Sequence, residues 1–306
     1  MNTKALVLVS FFMSLQTLFC ATPVFADAEK ALAAYAAALA NPFDDDAFQK
    51  YLDTLPRIPA PFGQGDKLYL IEGDIPRTAK GVRNDLIAKG SAPRPAASQE
   101  RHKPELIVHV EQGQPTVWAK GKRTLRYAVV RSTFASEADY KRVVEDMKAA
   151  AADWKAACTE CDIELVHESA HDAITTMQQF EDLTSTDKIR FAVILSNSGG
   201  EFIAAAFFPH EPARARFVQI DPSYFNLRNA PSGRGVLRHE LGHVFGYRHE
   251  HTRGVPGCRF EDNQWKPLTP YDPHSVMHYF CGGGGDLNLD ITQVDKDGHK
   301  SVYKAQ

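Results

Sequence analysis

The stretch RHELGHVFGYRHEH, which begins at position 238, contains residue types that together can bind and use a metal ion. His239 and His243 are four residues apart, and Glu240 directly follows the first of them. On a helix, this spacing places both imidazoles on one face. Gly246 can end such a helix with a sharp turn, because glycine adopts positive φ without a steric cost. The turn would bring His249 to the same point from another direction, so the pattern predicts three imidazoles around one ion.

Three imidazole nitrogens and one water are a common ligand set for catalytic Zn²⁺. Glu240 is expected at the flank of the helical histidine pair, where it can reach that water without binding the ion. The sequence therefore predicts one catalytic zinc ion with His239, His243 and His249 as ligands and Glu240 as general base. A surface helix with scattered histidines is the alternative. Five positions that each have a separate geometric role favour the metal site.

The extended motif resembles the HExxHxxGxxH signature of the metzincin metallopeptidases. Its continuation into Glu250 is similar to the astacin family, and the sequence SVMHY at 275–279 resembles the astacin Met-turn. The resemblance implies that Met277 lies beneath the zinc and its three histidines. It also implies that Tyr279 is an additional zinc ligand, which moves away when substrate binds and then donates a hydrogen bond to the oxyanion. In astacins, the glutamate that matches Glu250 helps to anchor the mature N-terminus.

A further resemblance concerns the sequence Ile71-Glu72-Gly73-Asp74. Astacin prosegments carry a Phe-x-Gly-Asp motif whose aspartate binds the zinc and displaces water, and this chain has the Gly-Asp without the aromatic residue. The resemblance implies that Asp74 is a candidate latency ligand of a zymogen, since carboxylates bind zinc. The alternative is an ordinary turn at the end of a strand, where Gly-Asp is common.

The N-terminal sequence has the pattern of an export signal. Lys4 precedes an apolar stretch at 5–13, and the sequence VFA at 24–26 offers the small residues of a cleavage site. We therefore predict a signal peptide at residues 1–26 and a secreted or periplasmic protein. A membrane anchor is the alternative, but polar residues from position 14 onward interrupt the apolar run.

Four cysteines follow the predicted signal peptide, in a compartment where disulfides persist. They allow three pairings, and we favour Cys158–Cys161 and Cys258–Cys281 because the members of each pair are close in sequence. The first pair is a lone CxxC without a second pair at zinc-ribbon spacing. It therefore indicates a small disulfide loop rather than a zinc–thiolate site.

Residues 27–121 are predicted to form an N-terminal region similar to a prosegment. The stretches 27–40 and 45–55 have the composition and spacing of helices, and each is followed by proline. The segment 91–104 is rich in proline, serine and charge, which is typical of a linker. A hairpin is predicted directly after it, from ELIVHV and PTVW.

Residues 122–306 are predicted to form the catalytic domain, with an α+β fold. Ser136 and Asp139 resemble the start of a capped long helix, and several apolar runs predict the strands of a mostly buried sheet. Phe202–Pro209 is predicted to be an edge strand because proline ends it. The resemblance implies a metzincin-like arrangement, with a twisted mixed sheet, a backing helix, an active-site helix and an irregular C-terminal subdomain that holds the Met-turn.

The composition disfavours two classes of function. The net charge is −3 and no dense lysine or arginine run is present, so there is no electrostatic indication of nucleic-acid binding. Beyond the signal, no apolar run approaches the roughly 18 residues of a membrane helix.

The sequence therefore predicts an exported zinc metalloendopeptidase whose partner is a peptide or protein substrate paired with the edge strand. A zinc-stabilised binding protein that no longer cleaves is the alternative. Another metzincin branch with the same chemistry is a third interpretation. Because Glu240, Tyr279 and the three histidines are all present, the enzyme is favoured.

Overall fold

The computed structural model describes residues 22–63, 65–91, 106–111, 113–228, 231–258 and 265–304. The chain divides into two compact units, Met1–Thr54 and Leu55–Gln306. The predicted signal peptide lies outside the described residues up to position 21, and helix α1, Thr22–Ala40, begins within its last part. Helix α2, Asp45–Leu52, follows in the first unit, and the side chain of Asp44 caps it. No helix in the described ranges is both long and apolar enough to cross a membrane.

The second unit begins with a small antiparallel sheet of three strands. These are β1 (Arg57–Ile58), β2 (Leu68–Ile71) and β3 (Ile75–Arg77), paired in that order. A tight turn joins β2 to β3, with Ile71 opposite Ile75. The turn contains Glu72, Gly73 and Asp74.

Helix α3, Ala79–Ser91, follows the small sheet and is not anticipated by the sequence pattern. Gly81 and Gly90 lower its intrinsic helix propensity, which explains why the pattern is weak. The predicted linker at 91–104 lies outside the described residues except for Ser91, the last residue of α3. Strands β4 (Ile107–Glu111) and β5 (Gln114–Pro115) then form the predicted hairpin.

The main sheet has five strands. They are β6 (Thr124–Val129), β7 (Glu164–His167), β8 (Phe191–Leu195), β9 (Ala204–Ala205) and β10 (Phe217–Ile220). Their spatial order is β7-β6-β8-β10-β9, and β9 is antiparallel to β10 while the other pairs are parallel. The predicted edge strand at Phe202–Pro209 is therefore at the edge, although only two of its residues are paired as a strand.

Helices cover both faces of this sheet. Helix α4, Glu137–Ala157, begins at the predicted cap, where the Ser136 hydroxyl accepts the Asp139 amide. Helix α5, Met177–Ser185, was not predicted, and it packs Phe180 against the opposite face. Helix α6, Gly233–Val244, packs against α4, and the main hydrophobic core lies between these two helices and the sheet.

The chain after α6 is mostly irregular. It contains a short strand, β11 (Trp265–Pro267), which pairs with β4, and a final helix, α7 (Gln293–Tyr303). Both favoured disulfides, Cys158–Cys161 and Cys258–Cys281, are present. The fold is thus mixed α+β. The two compact units meet at Thr54, whereas the sequence-based boundary lies at 121/122. The second boundary describes where a prosegment would be removed, and it stays a prediction.

Candidate metal centre

Helix α6 presents His239 and His243 on one face, as the four-residue spacing predicts. The helix begins at Ser232, whose hydroxyl accepts the Gly235 amide, and ends at Val244. Its two imidazole rings have centroids 5.0 Å apart. Both side chains are buried, so the pair lies inside the protein rather than on a surface helix.

The turn after α6 brings the third histidine to this pair. Gly246 has a φ of 99°, and a Cβ there would lie 2.4 Å from the carbonyl oxygen of Thr116, so only glycine fits. The next residues run along β4, where the Arg248 amide donates to the carbonyl oxygen of Ile107. This pairing aims the fully buried His249 ring back at the helix, with its Nε2 atom 3.3 Å from that of His239 and 3.2 Å from that of His243.

Backbone carbonyls fix the orientation of both helical imidazoles. Nδ1 of His239 is 2.7 Å from the carbonyl oxygen of Val276, and Nδ1 of His243 is 2.8 Å from that of Tyr247. A carbonyl oxygen can only accept, so each Nδ1 carries the proton. Each Nε2 lone pair is therefore left to bind a metal ion, which is the usual arrangement of metal-bound histidines.

Asp74 completes the cluster from a position 165 residues before His239. Its Oδ2 atom lies 3.3 Å from Nε2 of His239, 3.5 Å from Nε2 of His243 and 3.0 Å from Nε2 of His249. Burial alone would raise the pKa of the Asp74 carboxyl, but the neighbouring imidazoles of His249 and His243 lower this pKa well below its usual value. The four buried residues form a group that could hold a metal ion.

The chemistry of these donors fits a metal ion better than a closed hydrogen-bond network. The Nε2 lone pairs of His239 and His243 and the carboxylate of Asp74 point at one place, and Nε2 of His249 lies within 3.0–3.3 Å of all three. In addition, Asp74 Oδ1 and Glu240 Oε2 are buried without a hydrogen-bond partner in the described part of the chain. Buried polar atoms without partners are rare in proteins, and an absent ion is one of the ordinary explanations.

Glu240 lies beside this cluster and is 3% exposed. Burial raises the pKa of its carboxyl well above the usual value, and the negative charge of Asp74 raises it further, while His249 acts in the opposite direction. A carboxyl with a raised pKa is a better proton acceptor near neutral pH, as a general base requires.

Met277 lies against helix α6, and Tyr279 lies beside the histidine cluster. Met277 is fully buried, and a Cβ on Gly242 would lie 2.2 Å from its sulfur, so the glycine inside the motif makes room for the methionine. The ring of Tyr279 stacks on that of His239 with centroids 5.7 Å apart, and its hydroxyl donates to Asp74 Oδ2. Tyr279 therefore reaches the same oxygen as the three imidazoles.

Glu250, the residue after His249, is fully buried, and its Oε1 accepts from the Asp272 amide at 3.3 Å and from Arg253 at 3.1 Å. Burial raises the pKa of its carboxyl well above the usual value. The role in anchoring an N-terminus stays a prediction.

The segment around Asp74 has three further attachments that the sequence pattern does not reveal. The Asp74 carbonyl oxygen accepts the Ala206 amide at 3.0 Å, directly after the edge strand. Glu72 forms a buried ion pair with Arg248, the residue before His249. Arg77 forms an ion pair with Glu211 at 3.1 Å. Opposite charges at these positions were visible in the sequence, but no spacing rule relates residues so far apart.

A second group, made of His251, His278 and Cys281, also has donor atoms close together. Cys281 is bound to Cys258 in a disulfide, so its sulfur is not a thiolate ligand in this state. We therefore assign no function to this group.

Comparison with known proteins does not assign the chain to a family. No protein-family model matches the sequence, and no curated protein matches it. Among solved structures, one similar chain belongs to a structure described as that of a chaperone–substrate complex. It has 15% sequence identity and a TM-score of 0.31 over 64% of this chain. The match spans 38% of that chain's length, and a similarity this low carries no argument about function.

Proposed function

We propose that this chain is an exported zinc endopeptidase that is synthesised in a latent form. The observation that carries the proposal is the convergence of three imidazole Nε2 atoms on one carboxylate oxygen of Asp74, within 3.0–3.5 Å. Three imidazoles with one carboxylate are a ligand set that Zn²⁺ accepts in tetrahedral geometry. The resemblance of the motif to metzincins, and of SVMHY to the astacin Met-turn, supports the same assignment.

His239, His243 and His249 would hold the ion after Asp74 has left. A bound zinc ion would activate a water molecule and polarise the carbonyl of the scissile peptide. Glu240 would accept a proton from a water molecule at the site and deliver it to the leaving amine, since its carboxyl lies buried beside the three imidazoles. Tyr279 donates its hydroxyl hydrogen to the developing oxyanion, in place of the hydrogen bond that it gives Asp74 in the latent form.

Latency follows from two contacts of the same short turn. With a metal ion bound, the Asp74 carboxylate would be a fourth ligand and would exclude the catalytic water. The Asp74 carbonyl also pairs with Ala206, so the turn covers the end of the edge strand where a substrate backbone would pair. The buried ion pair between Glu72 and Arg248 holds the turn in place from the other side.

Release of the turn must leave the catalytic core intact. Leu106, Val108 and Trp118 belong to the main core, and the Trp118 indole donates to the carbonyl oxygen of Val244 on the active-site helix. Removal of everything up to position 121 would expose this core. We therefore propose that the active form begins after Ser91 and before Leu106, instead of at the boundary of 121/122 that the sequence suggests. N-terminal sequencing of the secreted enzyme would show the start directly.

The central experiment compares two variants of the full-length chain, Asp74→Ala and Asp66→Ala. Asp66 is an exposed carboxylate of the same segment, so its removal controls for the loss of a charge. A charge-assisted hydrogen bond contributes about 1.5–3 kcal/mol, and 1.4 kcal/mol corresponds to a factor of ten. We expect Asp74→Ala to cleave a quenched peptide at least about tenfold faster than the wild type, and Asp66→Ala to match the wild type.

Two further measurements test whether the cleavage depends on zinc and on Glu240. A chelator should abolish the cleavage, and added zinc should restore it. Adding Glu240→Ala to Asp74→Ala should abolish cleavage while the protein still binds one equivalent of zinc. Turnover by the zinc-loaded double variant would contradict the assignment of the base. Zinc binding without cleavage in any form, including the processed one, would favour the non-catalytic binding protein.

A further inference from the structure

A series of hydrogen bonds connects the metal ligand His239 to a buried carboxylate on α7. Nδ1 of His239 donates to the carbonyl oxygen of Val276 at 2.7 Å. The amide of Met277, which belongs to the same peptide unit, donates to the Ser275 hydroxyl oxygen at 3.1 Å. That hydroxyl donates in turn to Oδ1 of Asp295 at 2.6 Å. One peptide unit and one hydroxyl thus lie between the imidazole and the carboxylate.

The direction of every proton in this series follows from the groups themselves. The Met277 amide can only donate, so the Ser275 oxygen accepts there and its single proton goes to Asp295. Ser275, Met277 and Asp295 are all fully buried, so water does not compete for these bonds. The other carboxylate oxygen accepts the amides of Val276 and Thr292, both at 3.0 Å, which holds Asp295 in position.

The other helical ligand has no such connection. Nδ1 of His243 donates to the carbonyl oxygen of Tyr247, and the amide of that peptide unit, from Arg248, donates to the carbonyl oxygen of Ile107. That series ends in an ordinary backbone pairing with β4. Of the two helical histidines, His239 is thus the one whose series ends at a carboxylate.

We infer that Ser275 and Asp295 are positioning residues that strengthen His239 as a metal ligand. Hydrogen bonds in series polarise one another in a buried environment. A carboxylate at one end makes the Val276 carbonyl a stronger acceptor, which draws the Nδ1 proton and leaves more electron density on Nε2. Outer partners of this kind orient metal-bound histidines and raise their basicity. The inference rests on the proposed metal site, but it concerns metal affinity and not cleavage.

The test compares Ser275→Ala with Thr292→Ala in the full-length chain. The first variant interrupts the series at its hydroxyl. The second removes a hydroxyl that contacts the same residue, because Thr292 Oγ1 accepts the Asp295 amide at 3.1 Å, but it leaves the series intact. Zinc affinity is measured by competition with a chelator, and the ligand field is measured from the visible spectrum of the Co²⁺ form. Thermal unfolding of the metal-free proteins reports the structural cost of each change.

We expect Ser275→Ala to bind zinc about 10–100-fold more weakly and to shift the Co²⁺ bands. Thr292→Ala should lower the unfolding temperature but keep the affinity and the spectrum of the wild type. Asp295→Asn, which removes the charge and keeps the side-chain size, should weaken zinc binding as well, and it replaces Ser275→Ala if that variant does not fold. Wild-type affinity in Ser275→Ala or Asp295→Asn, or equal losses in Thr292→Ala, would overturn the inference.

These measurements distinguish an error in the inferred role of Ser275 and Asp295 from an error in the proposed function. A wild-type chain that binds no zinc contradicts the metal site itself. A wild-type chain that binds zinc and cleaves once it is processed, beside variants that bind zinc equally well, contradicts only the role of Ser275 and Asp295.

Discussion

The turn that carries Asp74 depends on a glycine at positive φ, a backbone conformation that residues with a Cβ rarely adopt. Gly73 has a φ of 96°, and a Cβ built there would lie 3.2 Å from the Tyr279 hydroxyl oxygen. The substitution Gly73→Ala therefore adds backbone strain, and it also pushes the turn against the tyrosine that holds Asp74. We predict that it weakens the latent state and raises the proteolytic activity of the unprocessed chain.

The size of the effect follows from the backbone. A residue with a Cβ in the left-handed region costs roughly 1–2 kcal/mol compared with glycine. This cost is present in the latent state and disappears when the turn leaves the cleft. A difference of one or two kcal/mol changes an equilibrium constant by a factor of about 5–30. As long as the latent state dominates, the fraction of accessible active sites should increase by that factor.

The assay is the initial rate of cleavage of a quenched peptide by the full-length chain, recorded while a gel still shows no N-terminal processing. Gly121→Ala is the matched control. Gly121 has a φ of 80°, and a Cβ there would meet nothing within 4 Å. The substitution Gly121→Ala therefore introduces the same kind of backbone strain at a position far along the chain from the turn. We expect this variant to keep the initial rate of the wild type.

Two results would refute this reasoning. If Gly73→Ala keeps the wild-type rate although Asp74→Ala cleaves faster, the conformation of the turn does not limit latency. If Gly121→Ala raises the rate as much as Gly73→Ala does, the cause is general destabilisation rather than the contact with Tyr279.

Three further predictions concern catalysis and stability. In the processed enzyme, Tyr279→Phe should lower kcat by about 10²-fold or more and change KM less, because it removes an oxyanion donor; an unchanged kcat would count against that role. Burial would raise the pKa of Glu211, but the charges of Arg77 and His210 outweigh it and lower this pKa from 4.5 to about 2. Because the folded pKa is the lower one, the carboxylate stabilises the protein above pH 4.5 and loses this effect as the pH falls towards 2. The stability difference between wild type and Glu211→Gln, measured by denaturant titration, should therefore shrink over that range; a constant difference would contradict it. The double variant Cys258→Ser/Cys281→Ser should lower the free energy of unfolding by about 3 kcal/mol, as loop closure predicts; a loss that is within error of zero would contradict that estimate.

Features that depend on neighbouring residues could be predicted well. The helix with His239 and His243, the turn at Gly246 and the cap at Ser136 follow from helix geometry and from the conformational range of single residue types. The same is true of the two short-range disulfides. Helices α3 and α5 were missed because their apolar residues are few, and packing against the rest of the unit compensates for a weak local preference.

Features that depend on the path of the chain could not be obtained in this way. The motif indicates a metal ion and a general base. It does not indicate that Glu72 and Arg248, which are 176 residues apart in the sequence, form an ion pair. The same applies to Asp295, which is connected to His239 through Ser275 and the peptide unit between Val276 and Met277.

The amino-acid sequence by itself determined which residues can bind a metal ion, because a four-residue spacing and a glycine turn have nearly the same geometry in every protein. Only the tertiary structure decided that Asp74 lies among them and that Ser275 and Asp295 lie behind them. Such contacts are the sum of many weak packing interactions over the whole unit, and no local pattern of residues specifies that sum.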